Sequence, residues 1–167
     1  MVKEIKFQVL IKVADMYNFL LSHAYAGYQG IIGILISVGA FALYLSGFGK
    51  GDSFATFLLI LMSALFTIIQ PLHLYYKAAK QVKLNPVFRE PLNYKVNKEG
   101  ITVGQGEEEG LMLWQDIVKV METKRSVIIY LSRINAYIFP KRELGEQYET
   151  FKNLIKENLE EKYRKLK

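Results

Sequence analysis

The chain has 167 residues, a net charge of +6, two histidines and no cysteine. The lack of cysteine excludes disulfides, thiolate zinc sites and cysteine nucleophiles, and two histidines are too few for a histidine-rich metal site. Positive charge is concentrated in residues 77–98, directly after an apolar block. Membrane topology and anionic lipid explain a basic block at that place, so we expect no nucleic-acid partner.

Residues 1–25 predict a strand followed by a short helix. Within residues 2–13 the apolar side chains alternate, with Ile5, Phe7 and Val9 on one face, which is typical of a strand. In residues 14–24 the apolar spacing becomes helical. This segment is either an amphipathic helix at a membrane surface or an extension of the span that follows, and the sequence leaves both open.

Residues 26–76 predict a transmembrane helical hairpin. No charged residue lies between Asp15 and Lys50, and none lies between Asp52 and Lys77. A helix needs roughly 20 apolar residues to cross a bilayer, and residues 28–48 and 53–76 both reach that length. We expect Pro71 to bend or loosen the second helix. The basic segment after the second span predicts that both termini are cytoplasmic.

A row of small residues marks the first span. Ala26, Gly30, Gly33, Ser37 and Ala40 recur every three or four residues and would let another helix approach closely. The row has two readings: packing of the two spans within one chain, or a homodimer through the first four of these residues. The sequence does not decide between them.

Residues 77–91 are expected to form a basic juxtamembrane linker. Its positive residues, Lys77, Lys80, Lys83 and Arg89, are candidates for contact with the membrane surface. Two interpretations are open. The basic residues determine only the topology, or they also hold the soluble part against anionic lipid headgroups.

Residues 92–167 predict a small cytoplasmic α+β domain. The predicted strands are short, which indicates an antiparallel meander: 92–96, 101–103, 111–114, 117–122, 126–131 and 136–139. A polar acidic loop is expected at residues 104–110. From Gly145 the apolar period is helical, which predicts a final helix of about 20 residues.

Three stretches of this region resemble the YcxB-like family: NKEGI at 97–101, LWQDIVKV at 113–120 and AYIFPKR at 136–142. The resemblance implies a bacterial membrane protein that joins two spans to a pleckstrin-homology-like domain, a barrel or sandwich of about seven short strands capped by a C-terminal helix. It implies a buried Trp114, and Lys141 and Arg142 at the barrel rim. The family supplies no established activity to transfer.

The C-terminal region supplies six strands where such a barrel usually has seven. We therefore predict that residues 2–11 provide the missing strand, which returns to the domain from the other side of the hairpin. The hairpin would then be an insertion between two pieces of one soluble domain.

No catalytic constellation is visible in the sequence. The glycines of residues 104–110 are followed by a strand and accompanied by three glutamates, which is wrong for a phosphate-binding loop, and a calcium site lacks ligand spacing. His23 and His73 are expected to pack at the membrane edges. We predict a non-enzymatic protein without a cofactor, which presents a membrane-tethered docking domain for a protein or peptide; the alternative is a domain that senses anionic lipid.

Overall fold

Two β-sheets and a pair of long helices make up the described part of the protein, which in this computed structural model is residues 4–132, 135–160 and 164–166. Before the second strand, the elements are β1 (Glu4–Val9), α1 (Val13–Tyr25), α2 (Tyr28–Leu45), α3 (Ser53–Ala64), a π-helical segment (Leu65–Ile69) and α4 (Gln70–Leu84). They are followed by β2 (Leu92–Asn97), β3 (Gly100–Gln105), β4 (Glu108–Leu113), β5 (Lys119–Glu122), β6 (Ser126–Tyr130), β7 (Ala136–Pro140), α5 (Lys141–Leu144), α6 (Tyr148–Asn158) and β8 (Arg164–Lys165).

The strands form two sheets of four. One has the order β1-β2-β3-β4 and the other β7-β6-β5-β8, with antiparallel neighbours except for the parallel pair of β5 and β8. No strand pairing joins the two sheets within the described ranges, so the arrangement is an α+β fold with two open sheets and not a closed barrel.

The N-terminal strand belongs to the first sheet. Glu4 lies opposite Asn97 and Val9 opposite Leu92 in an antiparallel pair, which confirms the prediction that this strand returns to the C-terminal region. Its residues alternate between exposed and buried, as the sequence period requires. Val2 and Lys3, part of the predicted strand, lie outside the described residues.

The larger of two hydrophobic clusters in the described residues joins the two sheets and the last helix. Residues of both sheets contribute to it, and α6 adds Phe151, Leu154 and Ile155. Trp114 is buried, and its Nε1 donates to the carbonyl of Asn97 at 3.0 Å. The alternating apolar positions of the sequence thus supply the buried faces of the two sheets.

Two local predictions for the domain are wrong. The last helix, α6, has 11 residues and not about 20, because Leu159 takes an extended conformation and ends it. The segment 104–110 is not a loop: β3 runs to Gln105 and β4 starts at Glu108, which leaves a two-residue turn. Gly106 in this turn has φ of 61°, a conformation that glycine adopts without strain.

The helix α1 lies between the hairpin and the domain. It runs antiparallel along α4, since the Tyr17 ring packs on Tyr75 at 5.5 Å and the Tyr25 hydroxyl donates to the carbonyl of Phe66 at 2.6 Å. Its Phe19 ring also contacts Tyr130 of β6, with ring centroids 6.2 Å apart. The helix is therefore a packed connection between the two parts, separated from α2 by a short break.

The row of small residues in α2 faces the second helix of the same chain. Its buried residues are Gly30, Gly33, Ser37 and Ala40, and a Cβ added at Gly33 would lie 2.4 Å from the Phe66 ring. Ala26 is exposed. Packing of the two helices within one chain therefore uses Gly33 and Ser37, in line with the first of the two interpretations, whereas Gly30 lies against the backbone of Ala24 and Tyr25.

The second helix of the hairpin continues from Ser53 to Leu84 with an irregular middle. Its 32 residues correspond to about 48 Å of helix axis. The π-helical segment ends two residues before Pro71, whose ring prevents regular helical bonding and whose nitrogen cannot donate. Residues 77–84, expected to be part of a linker, belong to this helix, which ends shortly before Pro86.

Two helices are long and apolar enough to cross a membrane, judged by length and composition: Tyr28–Leu45 and the continuous helix Ser53–Leu84. Few of their apolar residues are buried within the protein. This leaves a large apolar surface exposed on the hairpin.

Candidate binding surfaces

The four basic residues of the segment 77–91 are all exposed. Lys77, Lys80 and Lys83 lie on α4, and Arg89 follows the helix. None of the four takes part in an ion pair with another described residue. They form a positive surface whose charges the described part of the protein does not neutralise.

An open groove lies between α1 and α4. It encloses about 670 Å³ and is called here the α1–α4 groove. It is lined by two lysines, two amides and four apolar side chains: Lys77, Lys80, Gln81, Asn85, Met16, Phe19, Leu84 and Phe88. No acidic residue lines it, so its electrostatic potential favours an anion.

Arg142, expected at a barrel rim, holds the N-terminal segment in place. Its Nη2 donates to Asp15 Oδ2 at 2.8 Å and to the carbonyl of Leu10 at 3.1 Å, and its Nη1 donates to the other carboxylate oxygen. The Asp15 side chain is 3% exposed and also accepts from the backbone of Lys12 at the start of α1. The hydrogen bond to Asp15 raises the pKa of Arg142.

Lys141 points to a second buried carboxylate. It pairs with Glu122, which is 4% exposed and also accepts a hydrogen bond of 2.6 Å from the Tyr148 hydroxyl. Burial lowers the pKa of Lys141, but its hydrogen bonds with Glu122 and Tyr148 raise it more, so the net shift is upward. The charged groups of both candidate rim residues thus pair with buried carboxylates.

The free edge of β4 is a further candidate surface that the sequence did not reveal. β4 pairs with β3 alone, so no strand of the described chain covers its outer side. Glu108 and Glu109 are exposed there, with Glu107 in the adjoining turn, and Leu111 is 54% exposed. Backbone groups along such an edge are able to pair with another extended chain.

The histidines lie apart. His23 is exposed on α1 with its ring 6.2 Å from that of Tyr130, and His73 is exposed on α4. In the described ranges no three His, Asp or Glu side chains are placed to hold a metal ion.

Comparison with known proteins gives a similarity to one family and no activity. A family model described as YcxB-like protein matches residues 96–155, from β2 into α6. The uncharacterized protein YcxB of Bacillus subtilis (strain 168) is 28% identical over 171 residues, which cover 99% of this chain and 88% of that protein. No solved structure matches significantly. The similarity to YcxB extends over the hairpin as well as the domain.

Proposed function

We propose that this protein is a YcxB-like bacterial membrane protein whose two apolar helices cross the cell membrane and carry a cytoplasmic, pleckstrin-homology-like domain. The length and exposed apolar surface of the helices support the membrane placement. The basic residues at the end of the second helix support a cytoplasmic domain. Two sheets followed by a C-terminal helix support the fold assignment.

The domain serves as a membrane-tethered docking module for an extended segment of another protein. The observation that carries this proposal is the uncovered outer edge of β4. An extended peptide can add to such an edge, where main-chain hydrogen bonds supply affinity and alternate side chains supply specificity. The exposed Leu111 offers an apolar contact for one of those side chains.

The charge of the edge defines the chemistry of the partner. Glu107, Glu108 and Glu109 are exposed, and none is in an ion pair with a described residue. Acidic residues disfavour pairing with a second acidic edge, and so reduce self-association through β4. They favour an extended segment that carries lysine or arginine at alternate positions.

Peptide binding to the full-length protein in detergent tests this function. A labelled octapeptide of alternating lysine and valine should bind, and anisotropy should give a weaker affinity for the double variant Glu108→Lys/Glu109→Lys. The double variant Glu146→Lys/Glu149→Lys makes the same change in net charge at exposed residues outside the first sheet, and should bind as well as the native protein.

Backbone pairing is tested by N-methylation of the peptide at alternate amides. Methyl groups in one register should abolish binding, and those in the other register should leave it nearly intact, because only alternate amides point towards β4. Equal effects of both registers, or no binding of any peptide, would refute docking by strand addition.

A second candidate function is the sensing of anionic lipid. The observation that favours it is the set of unpaired basic residues Lys77, Lys80, Lys83 and Arg89 beside the apolar end of the second helix. Each such charge near an anionic surface contributes about 1 kcal/mol. Hydrogen exchange of residues 77–91 in nanodiscs should slow when phosphatidylglycerol replaces part of the phosphatidylcholine. An unchanged exchange rate would refute this function.

A further inference from the structure

We infer that the α1–α4 groove is a binding site for one anionic phospholipid molecule of the cytoplasmic leaflet. This inference rests on the membrane placement proposed above, and it gives the lipid-sensing candidate a defined site. Such a site differs from a diffuse attraction between the basic segment and the membrane, because only two of the four basic residues, Lys77 and Lys80, line the groove.

The groove has the two kinds of surface that a phospholipid requires. On α4, Lys77, Lys80 and Leu84 recur at spacings of three and four residues, which places them on one face of the helix. Met16 and Phe19 face them from α1. A phosphate can bind between the two ammonium groups while an apolar chain lies against the side chains of α1.

The groove also lies at the level where a phosphate is expected. Lys77 is the first charged residue after Asp52, so it marks the end of the apolar stretch of the second helix. Contact of Tyr17 with Tyr75 places the neighbouring residue Met16 near the same end. The lysines then meet the headgroup layer, with Met16 and Phe19 of α1 beside the end of the apolar stretch, whereas Leu84 and Phe88 follow the lysines on the side away from the span.

The chemistry of the lining discriminates between ligands. The lining lacks an acidic residue, so the choline group of a zwitterionic lipid has no counter-charge there. A free phosphate ion would contact two exposed lysines without any gain from the apolar residues. A phospholipid with one negative charge, such as phosphatidylglycerol, fits both the lysines and the apolar side chains of the groove.

A lipid in this groove would stabilise the connection between the hairpin and the domain. Phe19 lines the groove and also contacts Tyr130 of β6, with ring centroids 6.2 Å apart. Bound lipid would hold α1 against α4 and thereby hold the second sheet near the membrane. The lipid content of the membrane would then affect the position of the docking domain.

Native mass spectrometry of the delipidated full-length protein, titrated with phosphatidylglycerol or phosphatidylcholine, tests the inference. We expect one tightly bound phosphatidylglycerol per chain and a roughly 30-fold weaker affinity for the double variant Lys77→Gln/Lys80→Gln. The double variant Lys83→Gln/Arg89→Gln removes the same charge from residues outside the groove and should retain the single tight site.

Three results would overturn the site. An equal loss of affinity in both double variants would mean diffuse electrostatic attraction. Displacement of the lipid by millimolar inorganic phosphate would mean an anion site without lipid specificity. The absence of a one-to-one complex would leave no site at all. Failure of the membrane placement is seen separately, because the protein would then leave the membrane fraction in an alkaline carbonate wash.

Discussion

At the scale of single residues, Arg142 connects positions that are 127 residues apart in the sequence. Its planar guanidinium binds both oxygens of Asp15 and also the carbonyl of Leu10. The carboxylate is buried, so removal of the arginine would leave a charge without its partner. Lysine cannot reproduce two parallel hydrogen bonds from one group.

Substitution of Arg142 should therefore destabilise the protein. We expect Arg142→Ala to cost about 2 kcal/mol, since the arginine is 41% exposed and solvent reduces the effect, and Arg142→Lys to recover only part of it. Thermal unfolding in detergent measures the change as a fall of roughly 5 °C. The control Arg89→Ala, at an exposed residue without an ion pair, should leave the melting temperature unchanged, and a native melting temperature for Arg142→Ala would contradict the role of the ion pair.

Tyr94 makes stability depend on alkaline pH. Burial, and to a lesser degree Tyr137, raises the pKa of Tyr94 above its usual value of about 10. The native state therefore binds the phenolic proton more tightly than the unfolded state does. The stabilisation is fully present below about pH 10 and is lost as the pH rises from there towards the native pKa.

The variant Tyr94→Phe should lose this pH dependence and keep the packing. The ring of Tyr94 stacks on Phe7 and meets Phe139 edge-on at 4.9 Å, contacts that phenylalanine preserves. Above about pH 10 the variant should gain up to about 1.4 kcal/mol per pH unit relative to the native protein. Unfolding curves in detergent at pH 8 to 11 measure this difference, and parallel pH profiles would contradict it.

The sequence predicts core residues better than ion pairs. Ile117, Val120, Ile129 and Ile138 belong to strands predicted from the sequence, and all four lie in the core. The pairing of Arg142 with Asp15 leaves no local pattern, because the two residues meet only through the tertiary fold. From sequence alone, a lysine or arginine after a strand is therefore predicted to be a surface residue, even where it binds a buried carboxylate.

At the scale of elements, Ser37 supports the irregular part of the second helix. Its hydroxyl donates to the carbonyl of Met62 at 2.8 Å and accepts from the amide of Phe66 at 3.2 Å. The π-helical turn changes the hydrogen-bonding register between these two residues. A side chain of α2 thus satisfies backbone groups on either side of that change.

Substitution of Ser37 by alanine should weaken the hairpin. Loss of both hydrogen bonds leaves a partly buried amide and carbonyl without this partner, and we expect a cost of about 1 kcal/mol. The control is Ser46→Ala, since the exposed hydroxyl of Ser46 bonds only to Leu43 within its own turn. Equal melting temperatures of the two variants in detergent would show that Ser37 adds nothing beyond packing.

Elements exposed on one side were the hardest to predict. β4 carries four successive positions, Glu108 to Leu111, that are exposed, so its sequence lacks the alternation of a half-buried strand. Pairing with β3 determines its conformation instead. The apolar stripe of α6 could be recognised in the sequence, but the end of the helix could not. Leu159 continues the apolar pattern and is buried, although the helix has already ended before it.

At the scale of the whole molecule, the pairing of β1 with β2 limits how the hairpin can be arranged. These strands precede and follow the two long helices, so both ends of the hairpin lie at the same sheet. If the helices cross a membrane, both ends must then be on one side of it, and the turn between α2 and α3 on the other. The strand pairing supplies this constraint independently of the distribution of charge.

Single cysteines test this topology, because the native chain has none. Lys50 lies in the turn of the hairpin and Lys98 in the turn between β2 and β3, and both are exposed. In intact bacterial cells a membrane-impermeant maleimide should label Lys50→Cys, whereas Lys98→Cys should react only after permeabilisation. The positive-inside bias predicts this orientation. The reverse pattern would place the domain outside, and labelling of both positions in intact cells would contradict a hairpin that spans the membrane.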